Sequence, residues 1–209
     1  MRLKRSGVLG VAAVSAALVL SGCTDSDGTT TEPTEAAPTT STAPETSASP
    51  TPKPATSTSP AENIEPPVMP EEAKEFTAEG YEAFVNYWFE ARDYALETGD
   101  TSILPPLSGE DCRHCEMTIK MIDDVSSKNQ WIVGGAMDVG DFYTPFKKDQ
   151  DGSIHSVIKI AQNPGKAYSS DGPVTEDDTD FQVFDAAFEF KAVYSDASGW
   201  VATSIEMIQ

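Results

Sequence analysis

From residue 77 onward, apolar positions recur along the chain with two different periods. Tyr81, Phe84, Val85, Trp88, Ala91 and Ala95 are spaced by threes and fours, which predicts a helix with one apolar face. Thr77 suits its N-cap, and Gly99 in Thr98-Gly99-Asp100 is placed as the left-handed residue that ends it. A short turn is expected at Ile103-Leu104-Pro105-Pro106-Leu107. Ser108 then has the chemistry of a second N-cap, with Glu110 and Asp111 favoured by the helix dipole. Cys115, Ile119, Ile122 and Val125 form the buried stripe of this second helix, which runs out near Lys128.

After Gly134-Gly135 the period falls to two, the signature of strands, near 136–147, 153–161, 181–194 and 199–208. Asp149-Gln150-Asp151-Gly152 and Asp196-Ala197-Ser198-Gly199 read as hairpin turns. Ile154, Ser156, Ile158 and Ile160 share one face of their strand, as do Phe188, Phe190, Ala192 and Tyr194 of theirs. The stretch from Asn163 to Asp180 reads as a long acidic loop. Helices first and strands afterwards predict an α+β domain, two N-terminal helices packed on a curved four-stranded antiparallel sheet.

The first 68 residues have a different character. Arg2, Lys4 and Arg5 precede the uncharged run Val8 to Leu20, so residues 1–22 are expected to be a signal peptide. As a helix that run rises only about 20 Å, short of the roughly 30 Å hydrocarbon core. Leu20-Ser21-Gly22-Cys23 resembles the lipobox of bacterial lipoproteins. The resemblance implies cleavage between Gly22 and Cys23 and a diacylglycerol thioether on Cys23, placing the protein on the outer face of the cell membrane. Residues 24–68 hold twelve Thr, nine Pro and six Ser, with Ile64 and Val68 the only large apolar side chains. Such a segment buries too little surface to offset its chain entropy, so residues 23–68 are expected to be a disordered spacer and 69–209 the folded domain.

Charge narrows the partners. The chain carries 34 acidic against 14 basic residues, a net charge of −20. Residues 69–209 hold 27 of the acids and ten of the bases, and a domain of that sign repels phosphate backbones and anionic lipid. Nucleic acid is excluded as a partner on this ground.

The order helix, turn, helix and β-meander, ending in Gly199-Trp200-Val201, resembles the NTF2-like (cystatin-like α+β cone) superfamily. Phe84-Val85-x-Tyr87-Trp88, Thr98-Gly99-Asp100, Leu107-Ser108, Cys112-x-x-Cys115 and Trp131-x-x-Gly134-Gly135 together resemble an uncharacterised family of actinobacterial lipoproteins. The resemblance implies an architecture without an activity. It also leaves a homodimer open, since such cones often pair through their sheets.

The candidate chemistry is sparse. With Cys23 lipidated, Cys112 and Cys115 remain as an even pair in an oxidising compartment, expected to close a disulfide that clips the second helix. The alternative is thiol–disulfide exchange, with Arg113 and His114 between the sulfurs. His155 and His114 are both expected to face solvent. Asp149/Asp151 and Glu176-Asp177-Asp178-Asp180 read as solvated charge, because the hairpin fails the calcium-loop pattern. No catalytic residue, cofactor or metal is expected. Tyr87, Trp88, Tyr94, Trp131, Phe142, Tyr143, Phe188 and Phe190 are either simple core or the lining of a pocket for a small apolar ligand. Three functions follow: a binding module for an envelope protein or ligand, a small-ligand carrier or enzyme using the cone, and a redox protein.

Overall fold

A computed structural model describes residues 50–175 and 180–209. The expected signal peptide, Cys23, the spacer up to residue 49 and the acidic run Glu176 to Asp178 lie outside the described residues.

Helix α1 spans Ala78–Thr98. Its start is set by Thr77, whose hydroxyl accepts the Gly80 amide at 2.9 Å, and its end by Gly99 at φ 75°. Both follow the local sequence, since a side-chain acceptor and a residue free of the Cβ penalty suffice. The buried face carries Tyr81, Phe84, Val85, Trp88, Ala91 and Ala95, as the spacing predicts.

Helix α2 spans Arg113–Ser127 and begins later than a cap at Ser108 would place it. Ser108 is extended and bridges to Ala202, while its hydroxyl accepts the Trp88 indole N–H at 3.2 Å. The N-cap is Cys112, whose sulfur accepts the Cys115 amide at 3.3 Å.

The main sheet has the order β2-β3-β7-β8, all antiparallel: β2 Met137–Tyr143, β3 Ile154–Gln162, β7 Phe184–Ser195 and β8 Gly199–Met207. These four are the strands that the period of two predicts. Ile154, Ser156, Ile158 and Ile160 are buried on one face together with Phe188, Phe190, Ala192, Trp200, Ala202 and Ile205.

A second small sheet escapes the sequence reading. β1 Trp131–Gly134 pairs with β4 Gly165–Ser169, and β5 Gly172–Pro173 and β6 Asp180–Phe181 both pair with β4. The stretch Asn163 to Asp180 is therefore not a plain loop. Its strands are too short for a period to register, and what joins them is a close backbone crossing. A Cβ on Gly165 would lie 2.5 Å from the Gly135 nitrogen, and Gly135 itself has φ +78°. Only glycine fits either position.

Residues 50–68 are also not a free spacer. Lys53 and Glu62 form an antiparallel bridge with an ion pair at 2.7 Å, and Thr56 bridges Ser59. Trp131 donates its indole N–H to the Thr56 carbonyl at 2.6 Å, and Tyr87 its hydroxyl to the Pro67 carbonyl at 3.4 Å. The strap contributes few apolar side chains, so composition hides it, but backbone hydrogen bonds to Trp131 and Tyr87 hold it to the domain.

Candidate functional site

Of the eight aromatics expected to be core or pocket lining, four, Tyr87, Trp88, Phe188 and Phe190, fill the interior. Trp88 and Phe190 are fully buried, with ring centroids 6.1 Å apart, and Tyr81, Phe84 and Phe89 also stand against Phe190. Tyr87 and Phe188 are buried as well. Tyr81 donates its hydroxyl to the Phe190 carbonyl at 2.7 Å and lies 3.2 Å from the Ser156 hydroxyl. Burial pushes the Tyr81 phenol above its ordinary pKa. Phe142 is half-buried beside Tyr81, and Tyr143 is exposed on the outer face. Tyr94 donates to the Asp100 carboxylate at 3.2 Å, and Trp131 is held under the strap. The eight aromatics do not converge on one cavity.

Below this layer sits a charged pair. Arg92 is 2% exposed and donates to the Asp93 carboxylate and to the Gly135 carbonyl, each at 2.6 Å. Asp93 in turn accepts the Met137 amide at 3.1 Å. The pair ties α1 to the corner between the two sheets. Burial opposes both charges, pulling Arg92 down and pushing Asp93 up. A signal for Arg92 was present in the sequence, since it follows Trp88 by four and so lies on the apolar face of α1.

Cys112 and Cys115 form a disulfide with Cα atoms 5.2 Å apart, and both residues are almost fully buried. The bridge closes the first turn of α2. Replacing both cysteines with serine is expected to leave the fold intact and to lower stability by about 2 kcal/mol, the chain-entropy value for so short a loop. The hydroxyl introduced by Cys112→Ser would still serve as an N-cap acceptor. Thermal denaturation with and without a reductant measures this, and failure to fold would show a larger role for the bridge.

His114 contradicts the expectation of exposure. It is half-buried, with its ring 6.2 Å from that of Trp88, because it stands four residues before the buried Thr118 and so on the flank of the buried face of α2. Burial, and then the Arg92 charge, lower its pKa below the ordinary 6.5. The neutral form is therefore favoured in the folded state, and its contribution is complete above that ordinary value and lost as pH falls below it. Between pH 7 and 5 the melting temperature should decline, with one group limiting the slope to about 1.4 kcal/mol per pH unit. His114→Gln should flatten that decline, and an unchanged profile would remove the assignment. His155 lies on the outer face but is also half-buried, with Nδ1 2.9 Å from an Asp149 oxygen.

Asp151 accepts from the Ser153 amide and hydroxyl at 3.0 and 2.7 Å, which holds its carboxyl below the usual range. The hairpin carboxylates are thus engaged in the turn. Among the described residues, no three His, Cys, Asp or Glu side chains converge as metal ligands, and no helix is long and apolar enough to cross a membrane.

A surface groove of about 830 Å³ opens beside the first turn of α2. Arg113, His114 and Met117 form one wall, and Thr203 to Glu206 of β8 the other, with Asp151 and Lys191 at one end. A second cleft of about 490 Å³ lies between the strap, α1 and β1, lined by Pro54, Ile64, Tyr94 and Ile132 with Glu90 and Glu97. In the first groove the Ser153 and Ser204 hydroxyls donate to the Asp151 and Glu206 carboxylates at 2.7 and 3.0 Å. Met117, Lys191 and the β8 edge were not legible as a site, because they are far apart in sequence and chemically ordinary.

Residues 50–206 match a family of unknown function (DUF6318). No curated protein matches the chain. Among solved structures, the intermembrane space region of the chloroplast protein ARC6 is 14% identical, with a TM-score of 0.40, covering 63% of this chain and 96% of that one. A protein from Catenulispora acidiphila in complex with S-DNPA is 10% identical, with a TM-score of 0.36, covering 61% of this chain and 92% of that one. A second structure from Catenulispora acidiphila, at 2.5 Å, is also 10% identical with a TM-score of 0.36, covering 64% of this chain and 94% of that one.

Proposed function

The chain belongs to this family of unknown function, and we propose that it is an extracytoplasmic lipoprotein, anchored through Cys23, whose domain is a binding module of the cell envelope. The observation that carries the reading is the contrast between interior and surface. The aromatic interior is filled by Trp88, Phe190 and their neighbours, whereas the open groove beside α2 presents charged and apolar side chains together. A carrier or an enzyme working inside a cone needs an inner cavity, and a partner-binding module needs a surface concavity.

Support for the address comes from residues 1–23, where a basic start and a short apolar run lead to Leu20-Ser21-Gly22-Cys23. Two helices followed by a four-stranded meander support the NTF2-like cone as the architecture. Burial of both cysteines weighs against thiol–disulfide exchange, which needs an accessible sulfur.

Two measurements test this. Cys23→Ser should abolish incorporation of labelled palmitate and release the protein from the membrane fraction, and retention at the membrane without label would overturn the lipid anchor. A photo-crosslinking amino acid at Met117, which is 54% exposed on the groove wall, should give one discrete adduct with an envelope protein in intact cells. Absence of any adduct there would overturn the binding module.

A further inference from the structure

The cleft of about 490 Å³ between the strap, α1 and β1 differs from the α2 groove in having charge of a single sign. One wall is α1, whose Glu90, Asp93, Tyr94 and Glu97 stand three or four apart and so form one stripe along the helix. The strap supplies a second wall with Pro54, Ile64, Glu65 and Pro67. Leu96 and Ile132, each 2% exposed, close the floor. Every charged side chain in this lining is acidic. A concavity of this size, mostly apolar with a few polar groups at fixed places, has the form of a small-molecule site.

The carboxylates are not neutralised from within the domain. Asp93 is engaged by Arg92 at 2.6 Å and by the Met137 amide at 3.1 Å. Lys53, next to Pro54 in the strap, is held by Glu62 at 2.7 Å. Glu65, Glu90 and Glu97 make no ion pair or side-chain hydrogen bond among the described residues. Three negative charges beside apolar walls favour a cation placed among them, because low-dielectric walls focus their field. Among the described residues no three acidic side chains converge as metal ligands, so this charge is spread along the cleft rather than gathered at a point. Tyr94 lies between Glu90 and Glu97 along α1, half-buried and fixed through its hydroxyl on Asp100. It adds an aromatic ring, which attracts alkylammonium groups.

We propose that this cleft binds a small organic ammonium ion with an apolar body. Its head lies among Glu65, Glu90 and Glu97 beside Tyr94, and its body packs on Ile64 and the two strap prolines. The strap is then one wall of a binding site as well as a connector. The inference goes beyond the binding-module reading, since it concerns a second site and a different class of partner.

The test uses the full chain in detergent micelles and isothermal titration calorimetry at matched detergent. Its ligands share one body: 4-phenylbutylamine, 4-phenylbutanol and 4-phenylbutanoate. The amine is expected to bind about tenfold more tightly than the alcohol, and the carboxylate not at all. Glu90→Gln with Glu97→Gln should bring the amine to the affinity of the alcohol and leave the alcohol unchanged, which also separates the site from partition into micelles. Glu90 is exposed and Glu97 half-buried, and neither has a partner to lose among the described residues, so the melting temperature should hold. Ile64→Ser should weaken amine and alcohol alike. Equal binding of amine and alcohol, amine binding undiminished in the double variant, no effect of Ile64→Ser, or no binding of the amine would overturn the site. N-acetyl-lysine methylamide binding as tightly as the amine would overturn the role of the apolar body. Displacement of the amine by calcium at matched ionic strength would overturn the organic guest in favour of a metal ion.

Discussion

Arg92→Ala is expected to lower the stability of the domain by about 3–5 kcal/mol, the range for breaking a buried ion pair from one side. Arg92 is 2% exposed and joins two acceptors at once, the Asp93 carboxylate and the Gly135 carbonyl. Its removal leaves a largely buried carboxylate facing a carbonyl, with the Met137 amide as its one remaining donor on that side. At this domain size the change corresponds to roughly 10 °C in melting temperature. The Met137 amide should also exchange faster with solvent, since its acceptor is no longer anchored. The double variant Arg92→Met with Asp93→Asn should recover at least half of the loss, because both buried charges go together while Asn keeps an acceptor for Met137. A loss below about 1 kcal/mol in Arg92→Ala would show that this pair does not hold the corner between the sheets.

Trp88→Ala should be comparably severe, at about 3–5 kcal/mol. The indole is fully buried and packs edge-on against Phe89 and Phe190, with centroids 5.1 and 6.1 Å away. Its N–H also satisfies the Ser108 hydroxyl at 3.2 Å. Truncation therefore opens a cavity at the junction of α1, α2 and β7 and leaves Ser108 without that donor. Because Ser108 and Gly109 hold the chain against β8 at Ala202, the loss should spread to the groove. Trp88→Phe keeps most of the buried surface and is expected to lose about 1–2 kcal/mol. Chemical denaturation of the two variants separates cavity from hydrogen bond: equal losses would mean that the indole N–H, rather than the volume, carries the effect.

Much of the fold was legible residue by residue. Thr77 and Gly99 frame α1 because capping needs only local chemistry. The four long strands of the main sheet announce themselves because one face of each turns to the core, with buried positions in three of them and half-buried ones in β2, which favours a period of two. The disulfide was legible from the pairing of two cysteines three apart. Where the reading missed, a distant partner had won. Ser108 would cap a helix in isolation, but Trp88 takes its hydroxyl and Ala202 its neighbour's amide, so the cap passes to Cys112. His114 stands four residues before the buried Thr118, on the flank of α2 that meets Trp88, a neighbour that belongs to another helix.

By itself, then, the sequence determined the elements whose cause is local: the caps of α1, the apolar stripes, the hairpin turns and the α+β order in which they come. Tertiary structure alone decided the small sheet, the strap and the groove. β1 and β4 pair through a crossing that needs Gly135 and Gly165 at once, thirty residues apart in the chain. The strap is held by Trp131 and Tyr87 through its carbonyls, and a backbone carbonyl has no sequence signature. That the groove runs beside β8 is a property of strand order, and which strand stands last in a sheet depends on every other pairing in it.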